Sequence, residues 1–183
     1  SLVCITSDKC YENKEWIWPY RENDRLGGKD PYSNSKACAE LITKSYQYSF
    51  LENQGIGIAS VRAGNVIGGG DWTKDRLIPD FFRSLYNSEV LDIRSPNSIR
   101  PWQYVLEPIS GYIKLAEKLK NNIHKYSGGW NFGPKYSDSW SVSSVVEFLA
   151  KKKDKLKWHV NEKNQFTEAR ILKLDSTKAR EEL

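Results

Sequence analysis

Tyr32 and Lys36 stand four residues apart in the stretch DPYSNSKACAE, residues 30–40. On a helix, residues at that spacing share one face. An ammonium beside a phenol favours the phenolate and lowers the tyrosine pKa. A tyrosine tuned in this way can act as a general acid or base near neutral pH. The same residues also spell an ordinary amphipathic helix start, with Asp30 as N-cap and Pro31 at the first helical position. The pair alone does not decide between the two. Thr6, Ser7, Asp8 and Lys9 follow a short apolar run and offer two hydroxyls, a carboxylate and an ammonium in succession. Gly64 and Asn65 follow a second such run.

These residues need a scaffold that brings them to one edge. LVCIT (2–6) reads as a buried parallel strand, being a short apolar run without alternation. A polar segment rich in charges and Trp (7–29) closes on LGGKDP, a loop signal. A helix is predicted from Pro31 to about Asn53, with Ala37, Leu41, Ile42, Ser45 and Ser49 at near-helical spacing and Gly55 as its stop. IGIASVR (56–62) is the next buried strand. Strand, helix and strand make a βαβ unit, hence a parallel sheet with a right-handed crossover. Ligands of such sheets sit outside the carboxyl ends of the strands, where TSDK (6–9) and AGN (63–65) emerge. The start of the long helix is expected near the same edge.

Downstream, AGNVIGGGDW (63–72) is a Gly-rich loop and RLIPDFFRSLYN (76–87) a helix. VLDIRSP (90–96) is a short strand, and residues 99–120 read as an extended entry followed by a helix. GGWNFGP (128–134) reads as turn, strand, turn. DSWSVSSVVEFLAKK (138–152) holds a helix capped by Ser141 or Ser143, and residues 168–183 an extended piece followed by a short helix. GGGDW follows a late strand and lacks the GxGxxG phosphate turn of a dinucleotide-binding domain. The sequence therefore reads as the later part of a larger protein that begins within a sheet.

Composition narrows the classes. With 39% hydrophobic and 28% charged residues among 183, the chain is globular. No run of about 18 apolar residues suggests a membrane helix, and no basic n-region suggests a signal peptide. Lys plus Arg number 28 against 23 Asp plus Glu, a formal charge of +5. No nucleic-acid motif accompanies that excess, so an anionic small ligand explains it better. The run KKKDK (151–155) reads as a solvated helix end. Three cysteines without CxxC and two isolated histidines point to a reduced cytoplasmic protein without a metal site.

Taken in order, ITSDKCY, YSNSK, RAGNVIGGGDW and IRPWQYV resemble the extended short-chain dehydrogenase/reductase family. Within it they are most similar to the nucleotide-sugar 4,6-dehydratases, and there to the branch acting on CDP-glucose. The resemblance covers nearly the whole chain. It implies an α/β fold: residues 1–64 form the later half of an NAD-binding Rossmann-type sheet, with late elements near 105–152 returning to it. Residues 65–183 form mainly a small mixed α/β region for the nucleotide sugar.

It also implies NAD as cofactor, CDP-glucose as substrate and a homo-oligomer, with no nucleic-acid or membrane partner. The product would be the 4-keto-6-deoxy sugar used in cytoplasmic steps of O-antigen biosynthesis. By the same resemblance Tyr32 takes the C4 hydroxyl proton as the C4 hydride leaves for NAD. Lys36 supports it and holds the nicotinamide ribose. Thr6 or Ser7 binds the C4 oxygen, and Asp8 protonates the departing C6 hydroxyl. Lys9 stands where many relatives have a Glu base; either it is deprotonated in the pocket or it stabilises the enolate as a cation. Asn65 and Arg100 are expected on the substrate's sugar and phosphates, with Arg76 a weaker candidate whose surface role is equally open. Trp102 is read as near the base or in the core, and Asn131 is not counted in the site.

Two other readings stand beside this one. A nucleotide-sugar 4-epimerase needs the Tyr and Lys but no acid at C6, so Asp8 argues against it. A binding module without turnover is the reading for this segment on its own, since the dinucleotide cradle is missing from it.

Overall fold

The computed structural model of the chain describes residues 1–135, 138–152, 156–161 and 170–183. In chain order, β1 (Leu2–Ile5) leads through a long loop to the helix α1 (Pro31–Tyr46), then to β2 (Ile58–Ala63) and the two-residue β3 (Val66–Ile67). α2 (Leu77–Asn87), β4 (Leu91–Ile93), β5 (Ile99–Arg100), β6 (Gln103–Tyr104) and α3 (Leu106–Asn121) follow. After them come α4 (Ile123–Tyr126), β7 (Gly128–Phe132), β8 (Trp140–Ser141), α5 (Val142–Lys152), β9 (Trp158–Val160) and α6 (Thr177–Glu182).

β1, β2 and β7 form one parallel sheet with β2 in the centre. The central strand is buried on both sides, as a parallel sheet covered by helices requires. Ala59 and Val61 turn into an apolar cluster with Leu115, Leu119, Tyr126 and Trp130, supplied by α3, α4 and β7. Ser60 and Arg62 alternate to the other face and meet α1. α1 starts where the sequence predicts, with the Asp30 carboxylate accepting from the Ser33 N–H at 3.0 Å and Pro31 in the first turn. Beyond Tyr46 the winding loosens into a π turn (Gln47–Leu51) and tightens into a 3₁₀ turn (Glu52–Gln54). Gly55 then ends it at φ +67°, a conformation that favours glycine.

A second cluster of Phe81, Leu91, Ile93 and Val146 joins α2, β4 and α5. There β4 pairs in parallel with β9, and β5 antiparallel with β8. α5 belongs to this cluster, whereas α3, α4 and β7 lie on the three-stranded sheet. β3 and β6 pair in parallel and tie the segment after β2 to the segment before α3. The Ser141 hydroxyl accepts from the Ser144 N–H and so caps α5, one of the two caps expected. Of KKKDK, Lys151 and Lys152 are exposed at the end of α5, and the rest lies outside the described residues, as do 168 and 169 of the last extended piece. No helix among the described residues is long and apolar enough to cross a membrane.

Candidate active site

At the carboxyl edge of β1 and β2 the chain opens a cavity of about 500 Å³, within the size range of small-molecule sites. Its walls come from several places in the sequence. Ser7, Asp8 and Lys9 follow β1, and Tyr32 comes from the first turn of α1. Asn65 follows β2, Arg76 precedes α2, and Arg100 and Trp102 flank Pro101. Eight of the residues singled out in the sequence thus share one cavity.

Ser7 caps a short 3₁₀ turn, Asp8–Cys10: its hydroxyl accepts from the Lys9 N–H and donates to Asp8 Oδ1 at 2.9 Å. Asp8 is buried at 3% exposure, and its Oδ2 finds no hydrogen-bond partner among the described residues. Burial pushes the Asp8 carboxyl above the ordinary aspartate range; Lys9, the Ser7 hydroxyl and Arg100 pull the other way without cancelling it. A carboxyl in that state is suited to give up a proton.

Gly64 makes this packing possible. A Cβ there would lie 2.2 Å from Pro101 Cγ and 3.2 Å from Asp8 Oδ2. Backbone bonds hold the same approach, with Gln103 N–H donating to Asn65 O at 2.9 Å and Val105 N–H to Ile67 O at 2.8 Å.

Tyr32 is 56% exposed, and Lys36 Nζ sits 5.6 Å from the centroid of its ring. Lys36 itself does not line the cavity. Thr6 does not line it either. Its hydroxyl donates to Glu40 Oε1 and, at 3.2 Å, to Val61 O, so that of Thr6 and Ser7 it is Ser7 that reaches the cavity wall. Arg76 pairs with Asp71 at 3.7 Å and is 60% exposed. Arg100 is buried, with Nη1 donating to Ile99 O. Trp102 Nε1 donates to Trp140 O at 3.1 Å. Asn131 is wholly buried away from the cavity, bonded to Tyr11, Tyr20 O and Asp175 O.

Two features escaped the sequence reading. Arg94 also lines the cavity and pairs at 3.2 Å with Asp75, another lining residue, held at φ +63°. Glu40 and Arg62 form a buried bidentate pair behind α1, at 2.9 and 2.8 Å. A signal for the pair existed: an arginine inside the apolar strand IASVR demands a buried partner.

Comparison with known proteins gives three findings. Residues 1–129 match the NAD dependent epimerase/dehydratase family. The whole chain is 53% identical to a CDP-glucose 4,6-dehydratase of Salmonella typhimurium, and covers 53% of that relative. Among solved structures, a UDP-glucuronic acid 4-epimerase from Bacillus cereus, in complex with UDP-glucuronic acid and NAD, superposes with a TM-score of 0.82 at 20% identity. That match covers 98% of this chain and 54% of the other. A dTDP-glucose 4,6-dehydratase from Bacillus anthracis in complex with NAD gives 0.74 at 18% identity, over 100% and 55%. At such identities the structures establish the fold. The chain spans about half the length of these relatives.

Proposed function

The chain belongs to the NAD dependent epimerase/dehydratase family, and from that premise we propose that it carries the catalytic edge of a CDP-glucose 4,6-dehydratase. The observation that supports this reading most is Asp8, a buried carboxyl with one unpaired oxygen on the wall of the cavity that Tyr32 also lines. An epimerase moves a hydride at C4 and needs no such acid. The 53% identity to a CDP-glucose 4,6-dehydratase supports the choice of base and sugar.

The chain's residues fit the reactive end of NAD. Tyr32 lines the cavity with the Lys36 ammonium beside its ring, and the two would hold the nicotinamide side. The sequence holds no GxGxxG turn for the cofactor's phosphates, and the α1 N-terminus is already capped by the Asp30 carboxylate. Bound NAD supplies a hydride acceptor at C4 and, later, a donor at C6. Tyr32 takes the C4 hydroxyl proton while Lys36 steadies the charge on its oxygen. Ser7 binds the C4 oxygen. The C4 ketone makes the C5 proton acidic; the Lys9 amine takes it, and the ammonium so formed stabilises the enolate and returns the proton to C5 as the hydride reaches C6. Asp8 delivers its proton to the departing C6 oxygen, and water leaves. Arg100 and Arg76 take the substrate's phosphates, for which the guanidinium fork is suited, and Asn65 contacts the sugar. Residues 1–64 with the returning α3 to β7 then serve the cofactor, and residues 65–183 mainly the sugar nucleotide, in deoxysugar synthesis for surface polysaccharide.

The test uses the full-length protein with NAD and CDP-glucose, the product being followed by mass spectrometry. Loss of one water is expected, abolished by Tyr32→Phe and reduced at least a hundredfold by Asp8→Asn. Water loss that survives Asp8→Asn unchanged strikes the role given to Asp8. Water loss only with another nucleotide sugar strikes the CDP assignment.

A further inference from the structure

We infer that Glu40 and Arg62, with Thr6, form a positioning clamp that sets the rotation of α1 and thereby aims Tyr32 into the cavity. Tyr32, Lys36 and Glu40 recur at spacings of four on α1, each step turning roughly 40° round the axis, so the row runs from the cavity to the face packed on the sheet. The first lines the cavity and the last is buried at 4% exposure.

Every acceptor site of the Glu40 carboxylate is engaged from the sheet. Arg62 Nε donates to Oε1 at 2.9 Å and Arg62 Nη2 to Oε2 at 2.8 Å. Ser60 Oγ donates to Oε2 at 2.5 Å, and Thr6 Oγ1 donates to Oε1. These donors sit on β2 and at the carboxyl end of β1, the two strand ends that deliver Asn65 and Ser7–Asp8. Arg62 is held in turn: Nη1 donates to Tyr11 Oη at 2.7 Å and Glu22 O at 2.9 Å. Tyr11 donates to Asn131 Oδ1 on β7 at 2.7 Å.

A bidentate fork fixes direction as well as distance. A side chain reaches about 5–6 Å from the helix axis, so a rotation of roughly 10° moves its tip by about 1 Å. Misplacement on that scale costs on the order of a hundredfold in rate. The clamp touches neither substrate nor cofactor and acts only through where it leaves Tyr32.

This inference rests on the proposed dehydration, and a double-mutant cycle in the full-length protein tests it. Glu40→Gln and Thr6→Val are made singly and together. Leu119→Ala, in the apolar cluster on the other face of the sheet, serves as a comparator of lowered stability. Glu40→Gln is expected to lower kcat at least tenfold with KM within about threefold of the wild type, and Thr6→Val to lower kcat severalfold. The double variant is expected to be no slower than Glu40→Gln, because Thr6 acts through Glu40. Leu119→Ala is expected to lose thermal stability and keep kcat. If Glu40→Gln does not fold, Glu40→Asp takes its place in the same cycle. A fluorotyrosine resonance at position 32 reports the aim independently of turnover: it is expected to shift in Glu40→Gln and stay in Leu119→Ala. Additive losses in kcat, or an unmoved Tyr32 resonance, overturn the clamp. A wild type that turns over no nucleotide sugar overturns the proposed activity instead, and leaves the resonance experiment to decide the clamp.

Discussion

Four glycines that follow β2, close in sequence, have different consequences when each is replaced by alanine. At Gly64 the new methyl lies 2.2 Å from Pro101 Cγ, where ordinary contact begins at 3.4 Å. Something must yield by roughly 1.2 Å. Pro101 is fully buried and its ring is fixed to the backbone; the neighbouring Gln103–Asn65 bond resists a shift of that segment. Overpacking of this kind costs about 1–3 kcal/mol, and the size of the clash puts Gly64→Ala at the upper end, about 3 kcal/mol. At Gly69 nothing lies within 4 Å and no positive φ is required. Alanine there is expected to be neutral or to stabilise by about 0.4–1 kcal/mol through the unfolded chain. Gly70, at φ +82°, has space but the wrong backbone, and alanine should cost about 1 kcal/mol. Gly68 faces Val105 at 2.7 Å, a side chain able to turn, and falls between. Denaturant unfolding of the full-length protein at constant m-value reads these differences. Because the methyl at Gly64 also meets Asp8 Oδ2 at 3.2 Å, that variant should lose activity beyond its loss of stability. Equal stabilities for Gly64→Ala and Gly69→Ala would refute the close approach on which the site geometry depends.

Asp8 is held above the ordinary aspartate range by burial, so its folded value exceeds its unfolded one. Its contribution to stability is present at low pH and is lost as pH rises from the unfolded value through the folded one. Asp8→Asn is therefore expected to be at least as stable as the wild type at neutral pH while being far less active, as thermal melts and assays on one preparation will read. Glu40 behaves in the opposite sense. Burial works to raise it, but Arg62, Ser60 and Thr6 outweigh that and hold it below the ordinary glutamate range. Its stabilisation is lost as pH falls through the folded value, and Glu40→Ala, which leaves Arg62 buried without its partner, should cost about 3–5 kcal/mol and flatten the acid limb of the stability profile. Phe81→Ala, in the wall behind the cavity, should cost about 3–5 kcal/mol and raise KM more than it lowers kcat.

The elements that the sequence disclosed are those with strong local signals. α1 begins at Asp30–Pro31 and its helical turns end at Gly55, because a cap and a left-handed stop are written into the residues. IGIASVR is a strand because an apolar run that short fits the middle of a parallel sheet, although it runs over Ile58–Ala63 rather than 56–62. The two-residue strands β3 and β8 left no pattern, since two residues carry no periodicity, whereas β5 and β6 fall in the extended entry read ahead of α3. The face of α1 was also illegible. Of Ala37, Leu41, Ile42, Ser45 and Ser49 only Ala37 is buried; the buried stripe is Ser33, Ala37 and Glu40, chosen by the polar partners of Glu40 and not by hydrophobicity. For the same reason Thr6 was read as a substrate contact. Its hydroxyl faces a buried carboxylate 34 residues away, which no local pattern reveals.

Deuterium at C4 of CDP-glucose tests the central claim most directly. The full-length protein with NAD should release a dehydrated sugar nucleotide carrying the label at C6, because the hydride taken at C4 returns after water has left. Label still at C4, in a sugar of unchanged mass and altered configuration, would contradict the dehydratase reading and identify an epimerase.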